Sequence, residues 1–167
     1  MEISGLEQHN LAHQYPCRLP VWWARHGDVG KDPQVRGVSG RKITIRIEKK
    51  FKRFEKLMAR MLRAPKELRR PLDTMNSMLW ELCDGSRTFA EVCQIMNDVF
   101  QEDISPVVAR TAQALGLLQY HQLVLLLEEP LEGRWSVRPG LIPNNQELAT
   151  LKEGHDYDVT PLSGEMP

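Results

Sequence analysis

The sequence has little of what marks secreted, membrane-spanning or disulfide-stabilised proteins. Its cysteines, Cys17, Cys83 and Cys93, are odd in number and widely spaced, which predicts reduced thiols, with Cys83 and Cys93 as small buried apolar residues. The longest uninterrupted apolar run, residues 123–127, is far shorter than the roughly 20 residues of a transmembrane helix. No apolar signal segment opens the chain. We therefore expect a cytoplasmic protein.

Signs of catalysis are equally scarce. The histidines have no pair at the helical spacing of a metal site; they are His9, His13, His26, His121 and His155. Residues 37–42 contain two glycines before a lysine but lack the spacing of a phosphate-binding loop. We therefore expect no enzyme, no metal and no cofactor, although catalytic residues can converge from distant positions.

The net charge of zero hides a strong asymmetry along the chain. Residues 41–70 hold 13 basic and 3 acidic side chains, whereas residues 71–167 hold 5 basic and 15 acidic ones. Such a chain either folds its two halves against each other or presents a basic surface to an acidic partner.

The chain divides into three parts. Residues 1–17 are polar and irregular, which predicts a flexible lead-in. Residues 18–128 carry the regular patterns, with short strands expected at 20–24, 42–47 and 68–72, the last confined by Pro71 to a sheet edge or a strand end. Residues 129–167 predict an acidic, irregular tail that packs Trp135, Val137 and Leu141 onto the domain.

A basic amphipathic helix is predicted at residues 48–63. The apolar residues recur at spacings of four and three; they are Ile47, Phe51, Phe54, Met58 and Met61. The other faces offer a candidate partner-binding surface made of Lys49, Lys50, Lys52, Arg53, Lys56 and Arg60. Three interpretations stay open: a solvated face, docking to an acidic surface of a partner or of this chain, and binding to a membrane surface or nucleic acid.

Helix signals become sharper after residue 72. Asp73 or Thr74 can cap a first helix, which Gly85 would close at the C′ position. Thr88 and Glu91 form a capping box that opens a second helix.

A third helix and a final strand complete the pattern. Ser105 predicts an N-cap, with Pro106 at the first helical position and Gly116 at the end. Residues 123–127 predict a terminal strand. The sequence therefore indicates an α+β fold, a winged-helix-like domain with short N-terminal strands, three helices, a terminal strand and an inserted basic helix.

Two segments resemble the PqqD family of RiPP recognition elements. The first reads Trp80-Glu81-Leu82-Cys83-Asp84-Gly85-Ser86-Arg87-Thr88, with Glu91 three residues later; the second is Ala112-Gln113-Ala114-Leu115-Gly116-Leu117-Leu118. The resemblance covers roughly 50 residues and identifies a fold better than a site. The inserted basic helix and the tail would make this chain a divergent member.

The resemblance implies a peptide-recognition module. In such modules the leader peptide of a ribosomally made precursor adds as a strand beside the third helix and is passed to a modifying enzyme, often a radical-SAM protein. The site residues it implies lie on the third strand and the third helix; they are Leu68, Arg69, Arg70, Leu72, Val107, Arg110, Thr111 and Ala114. The three arginines would meet an acidic leader.

Two other functions stay open. The domain and its basic helix could dock on a larger complex as an assembly protein. Alternatively, a winged helix can read DNA through its third helix, although Arg110 is the only basic residue between positions 103 and 118.

Overall fold

The computed structural model describes residues 2–49, 60–61 and 67–167. The strands are β1 (Tyr15–Arg18), β2 (Trp22–His26), β3 (Lys42–Glu48), β4 (Glu67–Pro71) and β5 (Val124–Leu127). The helices after residue 73 are α1 (Thr74–Leu82), α2 (Phe89–Phe100) and α3 (Val107–Tyr120), with a short 3-10 helix at Gln101–Ile104. The predicted α+β class is therefore confirmed.

Strands β2, β3 and β4 form an antiparallel sheet in that order. Because side chains alternate along a strand, the sheet has two distinct faces. One face, called the helix face, packs against α1 through Trp23 and Arg25. The strand register places on this same face Ile43, Ile45, Leu68 and Arg70. The outer face carries Trp22, His26, Thr44, Arg46, Glu67 and Arg69.

The core lies between the helix face and the helices. The fully buried rings of Trp23 and Trp80 meet edge to face, with centroids 6.3 Å apart. Ser77 of α1 joins the helix to the sheet, because its hydroxyl accepts the N–H of Ile43 at 2.9 Å and donates to the carbonyl of Leu72 at 3.2 Å. This contact fixes α1 against the end of the β3–β4 ladder.

The starts of α1 and α2 are where the local signals predicted them. The Asp73 carboxylate accepts the N–H of Asn76 at 2.7 Å. The capping box of Thr88 and Glu91 is complete, since each side chain accepts the other residue's N–H. These caps use backbone groups three residues away, so sequence alone can reveal them.

The predicted ends of the first and third helices need correction. Helix α1 ends at Leu82 with Cys83 as C-cap, so Gly85 lies one position beyond the predicted C′ site, although its φ is +78°. Helix α3 begins at Val107 and runs through Gly116 to Tyr120. It continues because the buried apolar pattern recurs at Leu118, about one turn beyond the buried Leu115.

The N-terminal segment is not the irregular lead-in that the sequence predicted. Its last residues belong to β1, which pairs antiparallel with β5. Ala12 and Cys17 are fully buried, and the carbonyl of Gln14 accepts the N–H of Phe89 at 2.7 Å. The pairing with a strand more than a hundred residues later explains why the local sequence did not reveal it.

Residues 129–167, here called the C-terminal strap, contain no helix or strand of their own yet pack firmly on the domain. The carbonyl of Val137 accepts bonds from Nε and Nη2 of Arg18 and from the indole of Trp23, at 3.0–3.3 Å. Val137 is buried and Trp135 packs beside it, as expected. On the outer face, the Tyr157 ring lies edge-on to Trp22, with centroids 5.7 Å apart.

Most of the predicted basic helix, with Lys50, Lys52, Arg53 and Lys56, lies outside the described residues. Of its remaining members, Lys49 is irregular and exposed, whereas Arg60 and Met61 are helical and exposed. Met61, one of the apolar residues at the predicted helical spacing, is 73% exposed.

Candidate functional site

Strand β4 presents unpaired backbone groups along one side. The N–H of Leu72 donates to the carbonyl of Ile43 at 2.9 Å, which fixes the hydrogen-bonded positions of the β3–β4 ladder. Bonded and non-bonded pairs alternate in an antiparallel ladder, so the N–H and C=O groups of Glu67 and Arg69 and the C=O of Pro71 point away from β3. Among the described residues none of these groups has a backbone partner.

Proline shapes this edge. Pro71 occupies an outward position, where a missing N–H removes no ladder bond. The prediction that Pro71 lies at a sheet edge and a strand end is confirmed. As a result, Arg69 is the central residue of the edge, and the only one flanked on both sides by other outward residues of β4.

The opposite edge of the same sheet is already occupied. On β2, Arg25 and Asp158 exchange backbone hydrogen bonds of 3.0 and 2.7 Å, and the N–H of Gly140 donates to the carbonyl of Trp23 at 2.8 Å. The C-terminal strap thus fills the position of a further strand beside β2. Within residues 2–49, 60–61 and 67–167, only the β4 side of this sheet is open.

The smaller sheet offers less backbone for pairing. Its β1 edge is bonded to the turn after α1, through Arg18 N–H to Cys83 O at 2.8 Å and Gly85 N–H to Pro16 O at 3.1 Å. On β5, the backbone N–H and C=O of Val124 point away from β1, but this residue is fully buried. The β4 edge is therefore the better candidate for pairing with another chain.

A groove runs between the start of α1 and the length of α3. Its volume is about 520 Å³, and apolar side chains form much of its lining, among them Met75, Leu79, Met96, Ile104, Ala114 and Leu117. Asp73, one of the lining residues, follows β4 by two residues. The chain therefore passes from the β4 edge to the groove within two residues, although no residue of β4 lines the groove.

Large apolar side chains are exposed on both sides of this region. Leu117 and Tyr120 of α3 are 59% and 81% exposed, and Leu68 of β4 is 38% exposed although it points to the helix face. Exposed large apolar side chains, here at the groove and on the open strand, are typical of binding surfaces.

The predicted site residues of α3 separate into two groups. Arg110, Thr111 and Ala114 line the groove, whereas Val107 is buried in the first turn and does not line it. The Arg110 guanidinium donates to the carbonyl of Asp103 and lies 3.9 Å from the sulfur of Met75. It therefore forms part of the groove wall.

The predicted site residues of β4 do not act as one set. Leu68, Arg70 and Leu72 point to the helix face, and Leu72 packs partly against the core, but none of the three lines the groove. Arg69 points to the outer face. Because adjacent strand residues face opposite ways, Arg69 and Arg70 would meet an added strand on opposite faces of the sheet, and the contact of the three arginines with an acidic leader stays a prediction.

On the outer face, Arg69 belongs to a cluster that the sequence analysis missed. Arg46 donates two hydrogen bonds to Glu67, of 2.5 and 3.0 Å, and its guanidinium lies 4.5 Å from the centroid of Trp22. These bonds hold the pKa of Glu67 below its usual range. Arg69 lies 3.7 Å from Glu67 and 6.0 Å from the ring centroid of Tyr157 in the strap.

A second charged cluster is buried and was also missed. Arg25 donates to Glu81 at 2.8 Å and binds both oxygens of Glu165. Burial opposes the charge of Arg25, but its bonds to Glu165 and Glu81 outweigh burial and raise its pKa. Both carboxylates are held by the guanidinium, so the cluster fixes the strap and offers no free acid or base. Its sequence signal was charged residues within apolar strands, which need buried partners.

The part of the chain that the structure describes holds neither a cluster of metal-binding side chains nor a membrane-spanning helix. It contains no group of three or more His, Cys, Asp or Glu side chains placed to hold a metal ion. None of its helices combines the length and apolar character required to cross a bilayer. Comparisons of the chain with protein-family models, with curated proteins and with solved structures find no match. The resemblance to the PqqD family therefore stays a prediction.

Proposed function

We propose that this chain is a non-catalytic peptide-recognition adaptor of the cytoplasm. An extended segment of a precursor peptide adds as a strand along β4, and the adaptor presents that precursor to a modifying enzyme of the radical-SAM type. The proposal draws on the PqqD-like motif at residues 80–91 and on the geometry of the β4 edge.

The observation that carries the proposal is the difference between the two edges of the β2-β3-β4 sheet. The strap pairs with β2 through Arg25 and Asp158, whereas the outward groups of Glu67 and Arg69 have no backbone partner among the described residues. An unpaired N–H and C=O ladder is the requirement for strand addition, since main-chain bonds then supply affinity without regard to side chains.

The groove beside α3 supplies the second requirement, a surface for alternate side chains. A strand added along β4 would direct every second side chain to the helix face, the side of Leu68 and of α1, whose first residues line the groove. The apolar lining there, including Met75, Met96 and Leu117, suits large apolar side chains of varied shape.

The geometry favours peptide binding over DNA reading. Arg110, the only basic residue of α3, donates to the carbonyl of Asp103, and Asp103 and Glu102 precede the helix. Phosphate contacts need several free cations on the recognition element.

The proposal can be tested by removing one backbone donor. Arg69→Pro deletes the outward N–H without breaking a bond to β3, and Pro71 already shows that β4 accepts proline at an outward position. A peptide selected from a random displayed library on the full-length wild-type protein serves as the probe. Arg69→Pro should bind this peptide about tenfold more weakly than the matched control Arg69→Ala, because one hydrogen bond is lost.

Arg69→Ala loses the same side chain but keeps the N–H, so the ratio of the two dissociation constants isolates the backbone bond. Circular dichroism should give similar melting temperatures for both variants. Equal affinities of two folded variants would show that peptides do not add to β4 and would overturn the proposal.

A further inference from the structure

Arg69 lies where its side chain can contact one residue of a strand added along β4. Its N–H and C=O form the middle of the open edge, while its side chain lies on the outer face. A strand residue paired directly with Arg69 would therefore place its own side chain on the outer face, beside the guanidinium. The side chains of the two residues that flank it in the bound strand would both point to the helix face.

The guanidinium of Arg69 is held in place but retains its donors. Its carbon lies 6.0 Å from the Tyr157 centroid, and one nitrogen lies 3.7 Å from Glu67. This ion pair is long, and the side chain of Arg69 is 51% exposed. An arginine carries five N–H donors in a planar fork that matches a carboxylate.

The acidic group that pairs with Arg69, the carboxylate of Glu67, is already hydrogen-bonded to Arg46. Glu67 receives two hydrogen bonds from Arg46 and keeps a lowered pKa because of them. In the strap, the carboxylate of Asp158, which follows Tyr157 in the chain, is bound by Arg41 at 2.8 Å. Arg69 thus shares Glu67 with Arg46, and half of its side chain stays exposed to a further acid.

We infer that the strand bound at β4 carries an aspartate or glutamate opposite Arg69, with apolar residues on both sides of it. This inference rests on the proposed function and adds the sequence class of the peptide. The acidic side chain binds Arg69 on the outer face, between β4 and the strap. The flanking apolar side chains pack on the helix face, beside the exposed Leu68 and towards the start of α1, where the groove lies.

Parallel selections test this inference. A random displayed peptide library is selected on the full-length wild type, on Arg69→Glu and on the matched control Arg70→Glu, whose charge change lies on the helix face. Wild-type peptides should share an acidic residue between two apolar ones. Arg69→Glu should select lysine or arginine at that position, whereas Arg70→Glu should retain the acid.

An affinity measurement supplies the magnitude. Replacing the acid of a selected peptide by its amide should weaken binding to the wild type about tenfold and should not weaken binding to Arg69→Glu. The inference is overturned if Arg69→Glu and Arg70→Glu select the same residue types at this position.

The two proposals fail differently. Selected peptides that require the Arg69 N–H, by comparison of Arg69→Pro with Arg69→Ala, but show no acidic preference would overturn only the present inference. Selected peptides that bind Arg69→Pro and Arg69→Ala equally would overturn the proposed function and this inference with it.

Discussion

The C-terminal strap depends on one buried carboxylate, and Glu165→Ala measures how much that contact stabilises the fold. Arg25 binds both oxygens of Glu165 and one oxygen of Glu81. The side chains of Arg25 and Glu165 are 1% and 2% exposed. Glu165 also accepts the N–H of Leu162 at 2.8 Å, so the substitution removes an ion pair and a turn contact together.

The expected effect is large for a single contact. Removing one partner of a buried ion pair costs about 3–5 kcal/mol, because the remaining charge stays buried without its partner. Arg25 keeps Glu81, so we expect the lower end of that range, about 3 kcal/mol in the free energy of unfolding. A domain of ordinary stability, about 5–15 kcal/mol, would stay folded.

Urea denaturation followed by circular dichroism and tryptophan fluorescence provides the measurement. The matched control is Glu153→Ala, an exposed acidic residue of the same strap, which should change the free energy of unfolding by less than about 0.5 kcal/mol. A loss for Glu165→Ala no larger than that of the control would refute the reasoning, since the strap would then not depend on this ion pair.

Two further predictions concern the buried turn after α1 and the thiols. Gly85→Val should lower the free energy of unfolding by about 3 kcal/mol or more, because φ is +78° and a Cβ would lie 2.7 Å from Leu131 and 2.9 Å from Cys17 Sγ. The melting temperature should fall accordingly, and an unchanged melting temperature would contradict this prediction. Burial raises the pKa of Cys17 to about 11 and of Cys93 to about 12, and also raises that of Cys83, so a thiol reagent at pH 8 should label none of them before urea unfolds the chain. Unfolded thiols ionise near pH 8.5, so above that pH the unfolded state binds fewer protons than the folded state. The urea midpoint should therefore fall as the pH rises towards 11. A constant midpoint would show that the thiols are not buried in the folded state.

The sequence predicted features whose causes are local. The cap at Asp73 and the capping box of Thr88 and Glu91 join groups three residues apart, and the alternation in residues 42–47 is a property of one strand. The helix ends were less readable. Gly116 suggested a stop, but Leu118 continues the buried stripe and the backbone bonds of α3 continue with it.

Long-range pairings escaped the sequence analysis. Arg25 meets Glu165 across 140 positions, and Arg18 meets Val137 across 119, so no spacing rule connects them. Strand β1 was missed for the same reason, since its partner β5 lies near residue 125. A short polar segment becomes a strand only when a distant edge is available to pair with it.

The candidate site was predicted in part. The resemblance pointed to the third helix, and Arg110, Thr111 and Ala114 do line the groove there. The period of two in residues 67–71 would have separated Arg69 from Arg70, but the contact of Arg69 with Tyr157 needs the strap and could not be foreseen.

The measurement that tests the central claim most directly is amide hydrogen exchange, followed by NMR, with and without a selected peptide bound to the full-length protein. The amide of Arg69 points outward, whereas those of Leu68 and Arg70 already belong to the β3–β4 ladder. We expect exchange at Arg69 to slow by about tenfold or more on binding, with little change at Arg25, whose N–H is already bonded to Asp158. Bound peptide with unchanged exchange at Arg69 would contradict strand addition at β4.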